Sequence, residues 1–442
     1  MTRPLHVFVL AAGRGTRMKS EQPKVLFDVC GRPALTHVVR LAREVGAETV
    51  TVVVSPEHRD ACVRATESDG AGVVVQDPPR GTGHAAQVAW KGLADVSDEA
   101  DVLILYGDGP LYSARTVRRL LDAHAAGGSE VGGTLLTVEL DDPSGYGRVV
   151  RAPDGVVDRI VEELDADEET RRLREVNTGI VVLRAGTGRE VVDGLSSDNA
   201  KGEVYLTDAV LALRRRGSRV GRVVLEDVRE GHAFNSIAEL AVVRDLMRRR
   251  IVEGHQANGV DVVDPGTTWI DVDVTIGAGT RILPFTVLGR GVVIGRGCVV
   301  GPFSHLRVAA ELADGAEIGN FVEVKNSRVG ERSKAKHLAY LGDASVGAGT
   351  NIGCGTITAN WDGAAKHRTT IGDGAFIGSG TVLIAPSRVE DGGATGAGAI
   401  VRRDTTIGSG EVYVGVPARR LERRPGGAHE NGGADQNEGG SS

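Results

Sequence analysis

From Ile270 onward the chain repeats itself every six residues. Ile270, Ile276, Ile282, Leu288, Ile294, Val300, Leu306, Leu312, Ile318 and Val324 are apolar at an unbroken interval of six, often followed by glycine. Ten such positions in a row exclude coincidental spacing in an ordinary globular domain. The pattern is that of a parallel β-helix, in which each repeat turns one residue into a stacked core. The register slips by one near Val329 and resumes at Val346 and Ile352. After an interruption it runs through Ile371, Ile377, Leu383, Val389, Thr395, Val401 and Ile407. The interruption, "TANWDGAAKHRT" from Thr358 to Thr369, is expected to leave the coil as a loop. Long excursions from a regular solenoid are where function tends to sit.

The first half has a different period. "TVTVVV", "GVVVQ", "DVLILYGD", "VGGTLLTVEL" and "GIVVL" are strand-like runs alternating with helix-like segments. That alternation signals an α/β domain with a largely parallel sheet, whose strand ends carry the site. "SIAELAVVRDLMRRRIVEGHQ" has helical periodicity and reads as a helix connecting two domains, with Arg248 to Arg250 as a solvated face. The expected organisation is a first domain over 1–235, a linker helix over 236–256, a β-helix over 257–423 and a disordered tail over 424–442.

A length of 442 residues suits two or three domains, and the formal charge of −7 argues against general nucleic-acid or anionic-membrane binding. No apolar stretch approaches the roughly 20 residues needed to span a bilayer, and the start lacks a signal-peptide pattern, so a cytoplasmic protein is the default. Cys30, Cys62, Cys298 and Cys354 form no C-x-x-C pair, which indicates reduced thiols rather than a disulfide framework or zinc ribbon.

The stretch "LHVFVLAAGRGTRMKSEQPKVLF" runs from a buried strand into a glycine-rich loop. Backbone N–H groups in such a loop can surround phosphate oxygens, and Arg17, Lys19 and Lys24 add positive charge. The spacing fits neither a Walker loop nor a dinucleotide fingerprint, because Met18 stands where the latter needs its third glycine.

Taken with the hexapeptide repeats, the motifs "LAAGRGTRM", "PKVL", "RGTGHA", "LYGDGPL", "DDPSGYGRV", "EVNTGI", "GNFVEVK", "SKAKHLAYLGDA" and "NIGCGTITANWDG" occur in order over roughly residues 5 to 420. In this the chain resembles the bifunctional UDP-N-acetylglucosamine pyrophosphorylase and glucosamine-1-phosphate N-acetyltransferase of bacteria. The resemblance implies a Rossmann-like nucleotidyltransferase domain followed by a left-handed parallel β-helix. It also implies acetyl transfer from acetyl-CoA to glucosamine-1-phosphate, then uridylyl transfer from UTP to N-acetylglucosamine-1-phosphate, with a homotrimer as the assembly. A monofunctional nucleotidyltransferase whose β-helix only oligomerises is the alternative.

By the same resemblance, Leu10, Ala11, Ala12 and Gly13 contact the uridine nucleotide, Arg17 and Lys24 support phosphate, and Gln76, Gly81 and Thr82 read the uracil. Tyr106, Gly107 and Asp108 close the site, and Gly147, Glu162 and Asn177 contact the sugar. Asp108 and Asn235 are the implied Mg²⁺ ligands. Asn235 is placed by aligning "EGHAFNSIAEL" with a two-residue insertion. In the β-helix, His337 matches the catalytic base. An ammonium must lose a proton before its nitrogen attacks a thioester, and imidazole chemistry suits that step near neutral pH. Arg307, Lys325 and Lys366 match positions holding the sugar phosphate, with Tyr340 and Asn351 beside them. Cys354, Asn360, Trp361, Ser379 and Ala397 match acetyl-CoA contacts. Three departures stand out: Trp361 replaces a usual tyrosine, Gly415 falls near an expected arginine, and Cys354 replaces a common alanine. Cys354 reads either as an inert small residue or as a thiol able to react near the thioester.

Overall fold

The computed structural model describes residues 3–13, 15–93, 96–197 and 202–421. It divides into two compact units, Met1–Glu253 and Gly254–Ser442. The division falls inside the helix Ile237–Ala257, and the 424–442 tail lies outside the described residues.

The first unit is built on one twisted sheet. Its order is Arg219–Val224, Val131–Glu139, Glu175–Arg184, Asp101–Tyr106, Leu5–Leu10, Thr49–Val54 and Gly72–Val75. Leu5–Leu10 is parallel to both Thr49–Val54 and Asp101–Tyr106. The parallel run ends at Glu175–Arg184, which is antiparallel to its two main neighbours. Leu5–Leu10 is buried along its whole length because helices cover both faces. Val7 and Val9 join one core cluster with Leu35, Val38, Val117 and Leu120, while Phe8 and Leu10 join another with Ala86, Trp90 and Val192. Burial on both faces explains why these strands read as continuous apolar runs rather than alternating ones. The chain leaves Leu10 toward one side of the sheet and returns at Asp101 on the other. That creates the crevice outside the carboxyl ends of adjacent strands where α/β proteins hold ligands.

The second unit stacks short parallel strands into three sheets. Partners are 18 residues apart at the start, as in Ile270↔Leu288 and Ile276↔Ile294. They are 17 apart at Leu312↔Val329, Ile318↔Ala335 and Val324↔Leu341. Coils one residue shorter account for the slip in the sequence, and Ala335 and Leu341 fill the apparent gap as fully buried inward residues. Each inward Ile, Leu or Val contributes roughly 1.5–3 kcal/mol of apolar burial, which repetition accumulates coil by coil. The excursion leaves the coil between the strands Ile357–Ala359 and Thr369–Ile371.

One corner of the coil carries a feature that the period-six reading does not expose. Phe285, Phe303 and Phe321 are roughly half exposed and stack ring on ring, with centroids 4.7 and 5.3 Å apart. They and Leu338 adopt left-handed backbone, with φ between 46° and 59°. The arginine cluster differs in part from its reading as a solvated face: Arg249 is exposed, but its two neighbours are not. Arg248 is buried and pairs with Asp245 at 2.6 Å, and Arg250 donates to the Leu111 carbonyl at 2.6 Å. Guanidinium forks can satisfy carboxylate and carbonyl oxygens while the stems pack, so basic text at the end of a helix does not by itself mean exposure.

Candidate functional site

In the first unit a cleft of about 720 Å³ lies at the carboxyl ends of the central strands. Leu10, Ala11, Ala12, Gly13, Lys24, Gln76, Gly81, Thr82, Tyr106, Asp108 and Asn235 all line it. The Gly107 N–H donates to the Leu10 carbonyl at 3.0 Å, tying the two strand-end loops together. Gly81 is required where it stands. Its φ is +102°, and a Cβ there would come within 2.6 Å of the Val204 carbonyl. Gln76 is buried and donates to the Gly81 carbonyl at 3.0 Å, with His84 Nδ1 at 3.1 Å. Of Arg17, Lys19 and Lys24, only Lys24 lines the cleft, while Arg17 and Lys19 are exposed.

The Lys24 ammonium donates to Asp108 Oδ2 and to Asn235 Oδ1, the latter at 2.9 Å. A carboxylate from the middle of the unit's sequence and an amide oxygen from near its end thus converge on one cation. Asn235 is fixed by the start of the following helix. The Glu239 carboxylate accepts its N–H at 2.6 Å, and the Glu239 N–H donates to Ser236 Oγ at 3.2 Å, a variant of the capping box. No cluster of three His, Cys, Asp or Glu able to hold a metal occurs among the described residues. Two hard oxygen donors nevertheless fit Mg²⁺, which usually keeps several waters and takes further ligands from substrate phosphates.

Gly147, Glu162 and Asn177 form an adjoining group. The Gly147 carbonyl accepts the Asn177 N–H at 2.9 Å, and Glu162 Oε1 accepts the Thr207 hydroxyl at 3.1 Å. A Cβ on Gly147 would meet Ile160 at 2.9 Å and the Glu162 carboxylate at 3.4 Å. Tyr106 links this group to the main cleft, since it also lines a small apolar cavity bounded by Ile160, Asn177 and Thr207. Burial pushes its phenol far above the ordinary value, so it stays a neutral hydroxyl.

In the second unit the predicted residues fall into two sets. His337 ends the strand Lys334–His337 at the corner that carries the stacked phenylalanines. Above Leu338 the corner positions become glycine: Gly355 donates to the His337 carbonyl, Gly380 to that of Cys354 and Gly398 to that of Ser379. The corner changes from bulky to bare one coil above His337. A Cβ on Gly398 would meet nothing within 4 Å. Half-buried Cys354 and exposed Ser379 and Ala397 flank this bare stripe, and Ala397 stacks toward Gly415 in the next coil. From His337 to Gly415 the stripe rises four coils, about 19 Å at the usual strand spacing.

The other set is cationic. Arg307 and Lys325 follow the paired residues Leu306 and Val324 on adjacent coils. Arg307 binds Glu323 at 2.6 Å, which raises its pKa, and Glu323 pairs in register with Tyr340. Lys366 lies beside Lys325 and pushes the Lys325 ammonium below its ordinary value. Two such ammonium groups held together favour an anion between them. Asn351 is exposed on the sheet that carries His337, not on that of Lys325 and Tyr340.

Comparison with known proteins matches both halves. Residues 7–177 match the MobA-like NTP transferase domain, and residues 273–307 match the bacterial transferase hexapeptide (six repeats). The chain is 42% identical to the bifunctional protein GlmU of Thermobifida fusca, covering 96% of each chain. It is 43% identical to that of Rubrobacter xylanophilus, over 97% of this chain and 96% of the relative. For the Mycobacterium avium protein the identity is 40%, over 96% and 94%. This chain belongs to the GlmU family.

Several residues of this GlmU-family chain were given no role by the sequence. Pro79 and Glu203 line the first cleft from outside the quoted motifs, and Thr16 does so from within "LAAGRGTRM". Asp343, Asn326, His367 and Arg403 surround the loop of the second unit through contacts between residues as many as 41 positions apart. Only the coil spacing, which stacks residues 17 or 18 apart, could have pointed to the Asn326 to Asp343 pair.

Proposed function

We propose that this chain makes UDP-N-acetylglucosamine in two steps at two separate sites. In the second unit, His337 takes a proton from the ammonium of glucosamine-1-phosphate. The freed amine attacks the thioester carbonyl of acetyl-CoA, and coenzyme A leaves as its thiolate. Arg307, Lys325 and Lys366 hold the sugar phosphate, as cations suit a dianion. The bare glycine corner beside Cys354, Ser379 and Ala397 suits an elongated thioester ligand. Trp361 keeps an aromatic face but offers no phenolic hydroxyl.

In the first unit, a phosphate oxygen of N-acetylglucosamine-1-phosphate attacks the α-phosphorus of UTP and pyrophosphate departs. Leu10 to Gly13 and Lys24 hold the triphosphate, Gln76, Gly81 and Thr82 select the base, and Gly147, Glu162 and Asn177 orient the sugar. Asp108 and Asn235 would hold Mg²⁺, whose charge offsets the repulsion between the two phosphates. The convergence of both oxygens on the Lys24 ammonium is the observation that carries this reading.

The assembly in this proposal is a homotrimer in the cytoplasm. Its support is the division of the acetyl-site residues over two sheets, which a neighbouring copy would reunite, and the exposed phenylalanine stack. No helix among the described residues is long and apolar enough to cross a membrane. A coupled assay tests both activities together: glucosamine-1-phosphate, acetyl-CoA, UTP and Mg²⁺ should yield UDP-N-acetylglucosamine and pyrophosphate. If only ready-made N-acetylglucosamine-1-phosphate is converted, the β-helix has no acetyltransferase role.

A further inference from the structure

The excursion at residues 360–368 carries Trp361 and Lys366, both exposed, yet its two ends are held by a single buried residue. Asp343 turns the coil in left-handed backbone, with φ of 50°, and is only 9% exposed. One of its carboxylate oxygens accepts the Asn360 amide at the start of the loop, and the other accepts the Asn326 amide at 2.5 Å. Its carbonyl accepts the Thr369 N–H at the loop's far end at 3.2 Å, and its own N–H donates to the Lys325 carbonyl at 3.0 Å. Within the loop, Asp362 ties His367 at 2.6 Å and Arg403 at 3.1 Å, and the His367 N–H donates to the Asn360 carbonyl at 2.8 Å. The His367 bonds close the loop on itself and Arg403 ties it to a later coil, whereas Asp343 ties both of its ends to the coil that carries Lys325.

We propose that Asp343 is a positioning residue of the acetyl-transfer reaction: it clamps both ends of the 360–368 loop so that Asn360 and Lys366 are presented beside Lys325. The inference rests on the site reading given above, in which Asn360 serves acetyl-CoA and the two lysines serve the sugar phosphate. Burial raises the Asp343 carboxyl, but the amides of Asn326 and Asn360 and the charges of Lys366 and Lys325 outweigh it, so the group stays ionised. An ionised carboxylate accepts from two amides at once. A neutral amide of the same size cannot accept at both of its ends, because one of them is a donor.

Asp343→Asn therefore isolates the role, since asparagine keeps the volume and tolerates left-handed backbone. In the full-length enzyme the KM for glucosamine-1-phosphate should rise about tenfold with kcat within about threefold of wild type, as loss of ligand positioning without loss of the base predicts. Uridylyl transfer should stay unchanged, and trypsin should cut after Lys366 and Arg368 several times faster. Asn326→Ala, which removes one amide without touching the loop, should move the same KM in the same direction by less. Should Asp343→Asn fail to fold, Asn326→Ala decides the matter. Lys366→Ala serves as the reference. If it raises the KM and a folded Asp343→Asn enzyme does not, the clamp is wrong while the phosphate site stands. If Lys366→Ala leaves the KM unchanged, the phosphate site is wrong, and unchanged tryptic cleavage in Asp343→Asn would overturn the clamp as well.

Discussion

The two units solve opposite problems with their site residues. In the first, side chains from Leu10 to Asn235 are drawn over 225 positions of sequence into one cleft, because parallel strands share a common carboxyl edge. In the second, neighbours in space are 17 or 18 residues apart, or 25 where the loop intervenes, and the candidate residues lie along open faces and corners of a stack. A cleft excludes water and strengthens each charge inside it, as Lys24 between Asp108 and Asn235 illustrates. A solenoid offers length instead: the glycine corner above His337 provides a rail for an extended ligand, but little enclosure. The comparison teaches that the β-helix must obtain enclosure from something added to the coil. The 360–368 loop is one such addition, and an adjacent copy in the proposed trimer is another.

The sharpest test of this division is His337→Ala. Loss of a positioned general base should slow acetyl transfer by about 10²–10⁴, while conversion of supplied N-acetylglucosamine-1-phosphate and UTP stays near wild type. Steady-state rates of the two half-reactions, measured separately, check it. A matching fall in uridylyl transfer would mean that the sites are not independent. Asp108→Ala is the mirror experiment, expected to reduce uridylyl transfer by about 10²–10³ through lost electrostatic stabilisation while acetyl transfer survives. Undiminished uridylyl transfer in this variant would remove Asp108 from the reaction. A smaller effect probes the rail. Gly398→Phe continues the aromatic corner onto the bare coils, where the backbone already accepts bulky residues at Phe285, Phe303 and Phe321. It should raise the KM for acetyl-CoA about tenfold with little change in kcat, as loss of uniform binding predicts. An unchanged KM would show that the thioester ligand lies elsewhere.

How legible each region was follows from the same contrast. The β-helix announces itself because each coil repeats a local rule, so Ile270 to Ile407 could be assigned to the core one residue at a time. The coil-length change at Val329 appeared only as a slip, since Ala335 and Leu341 do not advertise themselves as core against polar neighbours. In the first unit the strands were visible as apolar runs, but the reversal at Glu175–Arg184 was not, because an interior strand buried on both faces reads the same in either direction. The burial of Arg248 was hidden for a related reason: a charged side chain is satisfied by partners that sequence order does not reveal.

The sequence by itself determined the period of the solenoid, the α/β character of the first half and, through ordered motifs, the family. These are properties of local spacing, and local spacing is what a chain carries without being folded. The tertiary structure alone decided that Lys24, and not Arg17 or Lys19, enters the cleft, and that Asp108 and Asn235 meet across it. It also decided that Asp343 grips both ends of the loop and that a phenylalanine corner gives way to glycine above His337. Each of these depends on segments far apart in sequence competing for the same few ångströms, and only packing and hydrogen-bond satisfaction in the folded chain choose the winner.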